Sequence, residues 1–222
     1  MATDSEPTPD IDFSGDDGWA ESRLVFLGGN HLPARWQGRE RFVVSELGFG
    51  TGLNALALAK LWTDEGADHP VPRLLFQSVE LFPRPLKAYL AHGDRWPELA
   101  TLAKELADAT GGLLATGWHH WNLSWGELRL FVGDAASLPT LTTSFEPADA
   151  WFLDGYAPAK DSSLWHPELL AWVAGQTLPG GTAATYTAAG TVKQGLRSAG
   201  FAVIRRPGWG RKRHRLEAHK DL

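Results

Sequence analysis

Short runs of β-branched and aromatic residues alternate along the chain with longer stretches rich in Leu and Ala. Runs of the first kind predict strands, and their alternation with helical stretches is typical of βαβ units and a parallel sheet. The strands predicted before the C-terminal region are RFVVSEL (41–47), LLFQSVE (74–80), ELRLFVGD (127–134), DAWFLDG (149–155) and TAATYTA (182–188).

Helices are predicted between these strands at 53–62, at about 85–109 and at 191–200. FAVIRRP (201–207) and HRLEAHK (214–220) then predict a hairpin around GWGRK. The whole pattern predicts an α/β fold of the Rossmann-like class, with a mostly parallel seven-stranded sheet and a C-terminal antiparallel hairpin strand.

Charge is distributed unevenly along the 222 residues. Residues 1–22 carry seven acids and no Lys or Arg, whereas the remainder carries 21 basic and 19 acidic residues. We expect residues 1–22 to form an acidic, disordered leader and residues 23–222 to form a single domain. The mildly basic body permits an RNA partner despite the total charge of −5.

Several classes of protein are excluded or disfavoured by composition. The chain has no cysteine, which excludes disulfides, thiolate metal sites and a cysteine nucleophile. No apolar run reaches the roughly 20 residues of a membrane span, and the N-terminus does not resemble a signal peptide, so we expect a cytoplasmic protein without a membrane partner. His119 and His120 suggest a metal, but neighbouring strand residues point to opposite faces, and GWHHWNLSW (117–125) instead predicts an extra strand on the sheet.

A glycine-rich turn follows the first predicted strand, in the motif Glu46-Leu-Gly48-Phe-Gly50-Thr-Gly52-Leu-Asn54. The three glycines suit a tight turn, close approach to a ligand, and close helix–strand packing, in that order. A nicotinamide or flavin dinucleotide fold also begins this way, but its fingerprint would place the third glycine at position 53, which is Leu53. An acid beside the turn also disfavours pyrophosphate. The motif therefore favours S-adenosylmethionine, which has no phosphate.

Acids also end the next predicted strands. Glu80 is placed to accept hydrogen bonds from ribose hydroxyls, and Asp134 from an adenine amino group. The alternatives are a solvated strand-end acid for Glu80 and a turn-forming Asp for Asp134.

The fourth predicted strand continues into DAWFLDGYAPAKDSSLW (149–165), which resembles the signature of the methyltransferases that make 5-methylaminomethyl-2-thiouridine in tRNA. That family comprises the N-terminal half of bifunctional MnmC and stand-alone MnmD-type enzymes. Further similar segments occur in the family's order: VFLGGNHLPARWQ (25–37), ELGFGTGLNALAL (46–58), SVELFPRPL (78–86), GGTAATYTAAGTVKQGL (180–196) and GWGRKR (208–213).

The resemblance implies methyl transfer from S-adenosylmethionine to the exocyclic amine of 5-aminomethyl-2-thiouridine at the tRNA wobble position. An oxidase half is not part of these 222 residues, so we expect no flavin and a separate enzyme that supplies the aminomethyl precursor. Tyr156 stands where the family usually has Phe, and Tyr186 and Ala188 also depart from its usual pattern.

The expected reaction centre is Asp154, which would orient the amine or accept its proton. Tyr156 and Tyr186 either stack on the thiouracil ring or belong to the core. Asn30 is expected, mainly from the resemblance, to line the cofactor pocket. The residues expected to hold tRNA phosphates are basic: Lys160, Arg205, Arg206, Arg211, Lys212 and Arg213.

Other interpretations remain open on the sequence. The same fold could carry a methyltransferase or an aminopropyl transferase for a small-molecule amine. A non-catalytic RNA-binding module is disfavoured by the intact set of acids and glycines. A nicotinamide oxidoreductase is disfavoured by the glycine spacing.

Overall fold

An eight-stranded sheet forms the centre of the molecule in the computed structural model, which describes residues 18–66, 73–111, 114–141, 145–155, 158, 162–210 and 212–222. The strand order across the described sheet is β3-β4-β2-β1-β5-β6-β8-β7. The strands are β1 (Arg41–Leu47), β2 (Arg73–Glu80), β3 (Gly117–Leu123), β4 (Gly126–Val132), β5 (Ala148–Leu153), β6 (Thr177–Thr185), β7 (Ala202–Pro207) and β8 (His214–His219).

The central part of the sheet is parallel, and both edges are antiparallel. Strands β4, β2, β1, β5 and β6 pair in parallel, whereas β3 is antiparallel to β4 and β8 is antiparallel to β6 and β7. The predicted Rossmann-like sheet and C-terminal hairpin are confirmed. The sheet has one strand more than the predicted seven, because the extra strand predicted in the Trp-rich segment forms the edge strand β3, antiparallel to β4.

Helices flank the sheet, and their bounds differ from the predicted ones in two places. The predicted helix at 85–109 is two helices separated at Pro97, and Pro167–Gly175 forms a helix that was not predicted. The helices are α1 (Gly18–Ser22), α2 (Leu53–Gly66), α3 (Leu86–Arg95), α4 (Ala100–Thr110), α5 (Pro167–Gly175) and α6 (Gly190–Ser198).

The core has two layers, one on each face of the sheet. Alternate residues of β1 point to opposite layers: Phe42 and Val44 pack with α2 and α4, whereas Val43 and Leu47 pack with α5 and α6. Because a central parallel strand is buried on both faces, six of the seven residues of β1 are buried, and FVV forms a continuous apolar run rather than an alternating one.

The N-terminal boundary also differs from its prediction. Gly18–Ser22 form α1, the Ser22 side chain is buried, and Glu21 forms an ion pair with Lys212. The prediction of a disordered leader is therefore wrong for residues 18–22, because polar contacts hold them to the domain. Residues 1–17 lie outside the described residues.

No helix in the described part of the chain is long and apolar enough to cross a membrane. The same residues contain no group of three or more His, Asp or Glu side chains able to hold a metal ion.

Candidate active site

The predicted site residues meet at one edge of the sheet, where the parallel strands end. The glycine loop (residues 48–52) joins β1 to α2, Glu80 ends β2, and Asp154 follows β5. Backbone hydrogen bonds hold these ends together, since Asp154 N donates to Leu47 O at 3.2 Å. Carboxyl ends of parallel strands beside a switch in strand order are the usual ligand site of an open α/β sheet.

A different structural reason accounts for glycine at each of the three positions in the loop. Gly48 has a φ of +90°, and a Cβ there would lie 2.3 Å from the carbonyl oxygen of Asp154. Gly52 has a φ of +73°, and its Cβ would approach Leu106 at 2.9 Å. Gly50 has a φ of +53°, but a Cβ there would enter open space. The loop is therefore closely packed at both ends and open in the middle, where a ligand could approach the backbone.

Glu80 connects β2 to the glycine loop. One carboxylate oxygen accepts a hydrogen bond from Gly50 N at 2.7 Å, and the other accepts from Phe82 N at 2.8 Å. Each oxygen retains a further lone pair, so the carboxylate can also accept bonds from a diol.

Asp134 follows the neighbouring strand β4, immediately after Gly133, whose N donates to Glu80 O at 3.0 Å. Its side chain is exposed and accepts a hydrogen bond from Ala136 N at 2.9 Å. Asp134 therefore has the turn-forming role that the sequence analysis gave as the alternative to adenine binding. The second carboxylate oxygen takes no part in this hydrogen bond.

Four polar side chains form a buried cluster behind the loop: Ser22, Glu46, Asn54 and Ser78. The Asn54 amide is its centre, because Nδ2 donates to Glu46 Oε1 at 2.9 Å and to Asp154 Oδ2 at 2.6 Å. Asn54 Oδ1 accepts from Ser22 Oγ at 2.6 Å, and Ser78 Oγ donates to Glu46 Oε2 at 2.8 Å. The buried polar cluster thus holds the Asp154 carboxylate in one orientation.

The surroundings of Glu46 favour the protonated form of its carboxyl group. Burial above all, and then the charge of Asp154, raise the pKa of Glu46 well above its ordinary value, although its bonds to Asn54 and Ser78 oppose the shift. A protonated Glu46 beside an ionised Asp154 avoids placing two negative charges on the same amide. Glu46 thus accepts a hydrogen bond from the same Asn54 amide that holds Asp154.

Sequence reasoning missed three residues of this region. Ser22 was assigned to the leader and Ser78 to a strand that leads into the segment SVELFPRPL, and neither was given a role in the site. His92 on α3 contacts the glycine loop through Nε2, 3.0 Å from Thr51 O, and burial lowers its pKa. A neutral imidazole with Nε2–H toward Thr51 fits this contact. These positions become visible only once α1, β2 and α3 are packed around the loop.

Tyr186 joins the reaction centre to the C-terminal hairpin. It follows β6, is half-buried, and its hydroxyl donates to Gly155 O, next to Asp154. Lys212 Nζ lies 3.7 Å from the centre of the Tyr186 ring and 2.7 Å from Glu21 Oε1. One face of the ring is therefore taken by a cation, which leaves at most the other face for a base.

The basic residues of the hairpin have different environments. Arg206 pairs with Glu217 at 3.0 Å, and Lys212 pairs with Glu21 at 2.7 Å. The side chains of Arg205 and Arg213 are exposed and form no hydrogen bond or ion pair with the described residues. Because β7 runs parallel to β6, the loop after it lies at the carboxyl edge of the sheet, as expected.

The expectation that Asn30 lines the cofactor pocket is wrong. Asn30 is fully buried, with Nδ2 donating to Phe26 O and Trp151 O and Oδ1 accepting from Thr182 Oγ1. It joins the N-terminal segment to β5 and β6, and these bonds explain why a polar residue is tolerated there. Three other expected site residues, Tyr156, Lys160 and Arg211, lie outside the described residues.

The residues present fit S-adenosylmethionine. Open space beside Gly50 adjoins the Glu80 carboxylate, and the acids at this edge suit hydroxyl and amino groups. The same acids would oppose the pyrophosphate of a dinucleotide, whose phosphates favour the helix N-terminus.

The chain is similar over most of its length to several known proteins. A protein of a Caulobacter species, named tRNA 5-methylaminomethyl-2-thiouridine biosynthesis bifunctional protein MnmC, is 46% identical over 212 residues, covering 94% of this chain and 35% of that protein. The protein of the same name from Thiobacillus denitrificans is 44% identical over 214 residues, covering 94% and 33%. The chain thus spans about a third of the length of these curated relatives.

The crystal structure of MnmC2 from Aquifex aeolicus has the same fold, with a TM-score of 0.66 at 23% identity, covering 89% of this chain and 59% of that one. The family model described as S-adenosyl-L-methionine-dependent methyltransferase matches residues 98–221, more than half of the chain. The protein therefore belongs to the family of S-adenosyl-L-methionine-dependent methyltransferases.

Proposed function

We propose that this methyltransferase converts 5-aminomethyl-2-thiouridine at the wobble position of tRNA into 5-methylaminomethyl-2-thiouridine. The observation that carries the proposal is the Asp154 carboxylate, held by Asn54 at 2.6 Å beside the glycine loop. A fixed acceptor in this place suits a nucleophile that carries N–H groups.

The relatives support the substrate. The two curated relatives are named for the biosynthesis of 5-methylaminomethyl-2-thiouridine in tRNA and are bifunctional. The family model assigns methyl transfer to the part that this chain matches. Of the steps needed for that nucleoside, methylation is thus the one that these residues can perform.

The composition supports an amine acceptor. Methylation of carbon 5 of a pyrimidine normally requires a covalent cysteine adduct, and the chain has no cysteine. An amine already carries a lone pair, but an alkylammonium has a pKa of roughly 10, so the site must favour the neutral form.

The roles of the residues follow from their bonds. When bound, S-adenosylmethionine supplies an electrophilic methyl group on its sulfonium. Asp154 accepts a hydrogen bond from the amine, directs its lone pair, and stabilises the positive charge that develops on nitrogen. Asn54 keeps the carboxylate in this orientation, and Glu80 accepts bonds from ribose hydroxyls.

Two further expectations belong to the proposal. The substrate must already carry its aminomethyl group, so a separate activity has to supply it. Modification of tRNA in the cytoplasm would match the location expected from the sequence.

The direct test uses purified protein, methyl-labelled S-adenosylmethionine and tRNA that carries 5-aminomethyl-2-thiouridine. We expect label in 5-methylaminomethyl-2-thiouridine after nucleoside digestion, and none with matched tRNA that carries unmodified uridine at that position. Label in a small polyamine but not in either tRNA would contradict the proposal and favour a small-molecule amine as the substrate.

A further inference from the structure

The C-terminal hairpin presents an aromatic ring to solvent at its turn. All 11 tryptophans lie within the described residues, and Trp209 alone among them is exposed, at 42%. The turn around it is ordered by backbone hydrogen bonds, from Gly208 N to Arg213 O and from Lys212 N to Trp209 O, both 3.0 Å. The backbone that carries the ring is therefore ordered, and the ring itself is not part of the core.

Two arginine side chains lie on either side of this turn in the sequence. Arg205 and Arg213 flank the turn, are exposed, and form no ion pair with any described residue. An exposed aromatic side chain beside unpaired cations is the arrangement that proteins use for single-stranded nucleic acid, where the ring stacks on a base and the cations hold phosphates.

The turn is also connected to the reaction centre. Lys212, which is hydrogen-bonded to Trp209 through the backbone, places its ammonium over Tyr186. Tyr186 in turn donates to Gly155 O, one residue after Asp154. A series of direct contacts thus joins the turn to the residue that follows Asp154.

We propose that Trp209 stacks on an unpaired base of the tRNA anticodon loop, beside the nucleotide that is methylated. The proposal rests on the function proposed above and adds a residue that reads the single-stranded character of the loop. Stacking has little sequence preference, because every base has a π face. Trp209 would thus favour an open loop over a paired stem, whatever its sequence.

The test measures binding of an anticodon stem-loop that carries 5-aminomethyl-2-thiouridine, over a series of salt concentrations. Trp209→Ala should weaken binding roughly 5- to 100-fold, the span of one lost base stack. The slope of log affinity against log salt should stay unchanged, because stacking releases no counterions. Trp209→Phe should restore most of the affinity, and donor binding should be unchanged in both variants.

Ile204→Ala is the matched control, because Ile204 lies on the same hairpin and is 41% exposed. This variant should bind like the wild type. If the wild type methylates the stem-loop and Trp209→Ala binds it equally well, the stacking role is overturned while the proposed function stands. If the wild type binds the methyl donor but neither binds nor methylates the stem-loop, both proposals are overturned.

Discussion

The buried polar cluster and the C-terminal hairpin lie at the same edge of the sheet, but different forces organise them. Within the cluster, Glu46 and Asn54 are 1% and 6% exposed and each makes short side-chain hydrogen bonds. On the hairpin, the side chains of Arg205 and Arg213 are exposed and form no hydrogen bond or ion pair with the described residues. Short hydrogen bonds hold the side chains of the buried polar cluster in place. The arginines of the hairpin act instead through their charge, which solvent screens.

This difference separates two requirements of the reaction. Methyl transfer needs atoms placed within fractions of an ångström, which buried and fully bonded side chains provide. Capture of a large polyanion needs attraction at a distance and tolerates loosely placed side chains. Substitutions in the cluster should therefore affect turnover or stability, and substitutions on the hairpin should affect tRNA affinity and its salt dependence.

The largest expected effect is that of Asp154→Ala. Loss of the carboxylate should lower kcat for methyl transfer by roughly 10²–10⁴-fold, the span of a positioned acid–base group. Affinity for S-adenosylmethionine, measured by calorimetry, should change much less. Asp154→Asn is the control, since its amide oxygen can still accept from Asn54. Near-normal turnover in Asp154→Asn would show that the charge of the residue is not required.

A smaller effect is expected when the open middle of the glycine loop is filled. Gly50→Ala should weaken donor binding roughly 5- to 100-fold, because an added methyl group occupies space that the ligand needs. Gly38→Ala is a matched control, since Gly38 also has a positive φ, +73°, and open space around it. Both variants should lose similar stability from backbone strain. Equal donor affinity in the two variants would place the cofactor elsewhere.

Charge reversal on the hairpin tests the role of the second region, the binding of tRNA phosphates. The double variant Arg205→Glu/Arg213→Glu should bind all tRNAs more weakly and lower the slope of log affinity against log salt by about 0.7–0.9 per lost phosphate contact. Donor affinity should be unchanged. Lys104→Glu on α4 is a control, because α4 contacts β3 at the far end of the sheet. An unchanged slope in the double variant would show that the hairpin does not hold phosphates.

The smallest expected effect concerns stability and pH. Because burial and then Asp154 raise the pKa of Glu46, its contribution to the free energy of unfolding is fully present below the ordinary glutamate pKa and is lost as pH rises through the raised value. Glu46→Gln removes this titration, so the variant should match the wild type in acid and become progressively more stable than it as pH rises.

Denaturant unfolding across pH measures this difference, and each unit of pKa shift corresponds to about 1.4 kcal/mol. Glu98→Gln, at an exposed position, should show no such trend. Parallel stability curves for the wild type and Glu46→Gln would mean that Glu46 is ionised in the folded protein.

The sequence by itself determined the strand positions, the glycine loop and the acids at the strand ends. These features are local: β-branched runs, turn residues and a short motif act over a few neighbouring positions, so each can be read without its partners. The acids Glu46, Glu80 and Asp154 accordingly lie where the pattern placed them.

Only the tertiary structure decided which of these residues hold one another. Ser22 reaches Asn54 across 32 positions, and Glu21 reaches Lys212 across 191. Asn30, predicted for the pocket, became a core residue for the same reason, since its amide is satisfied by Trp151 and Thr182 far along the chain. Burial and hydrogen-bond partners depend on how elements that are far apart in the sequence pack together. A local sequence pattern does not specify that packing.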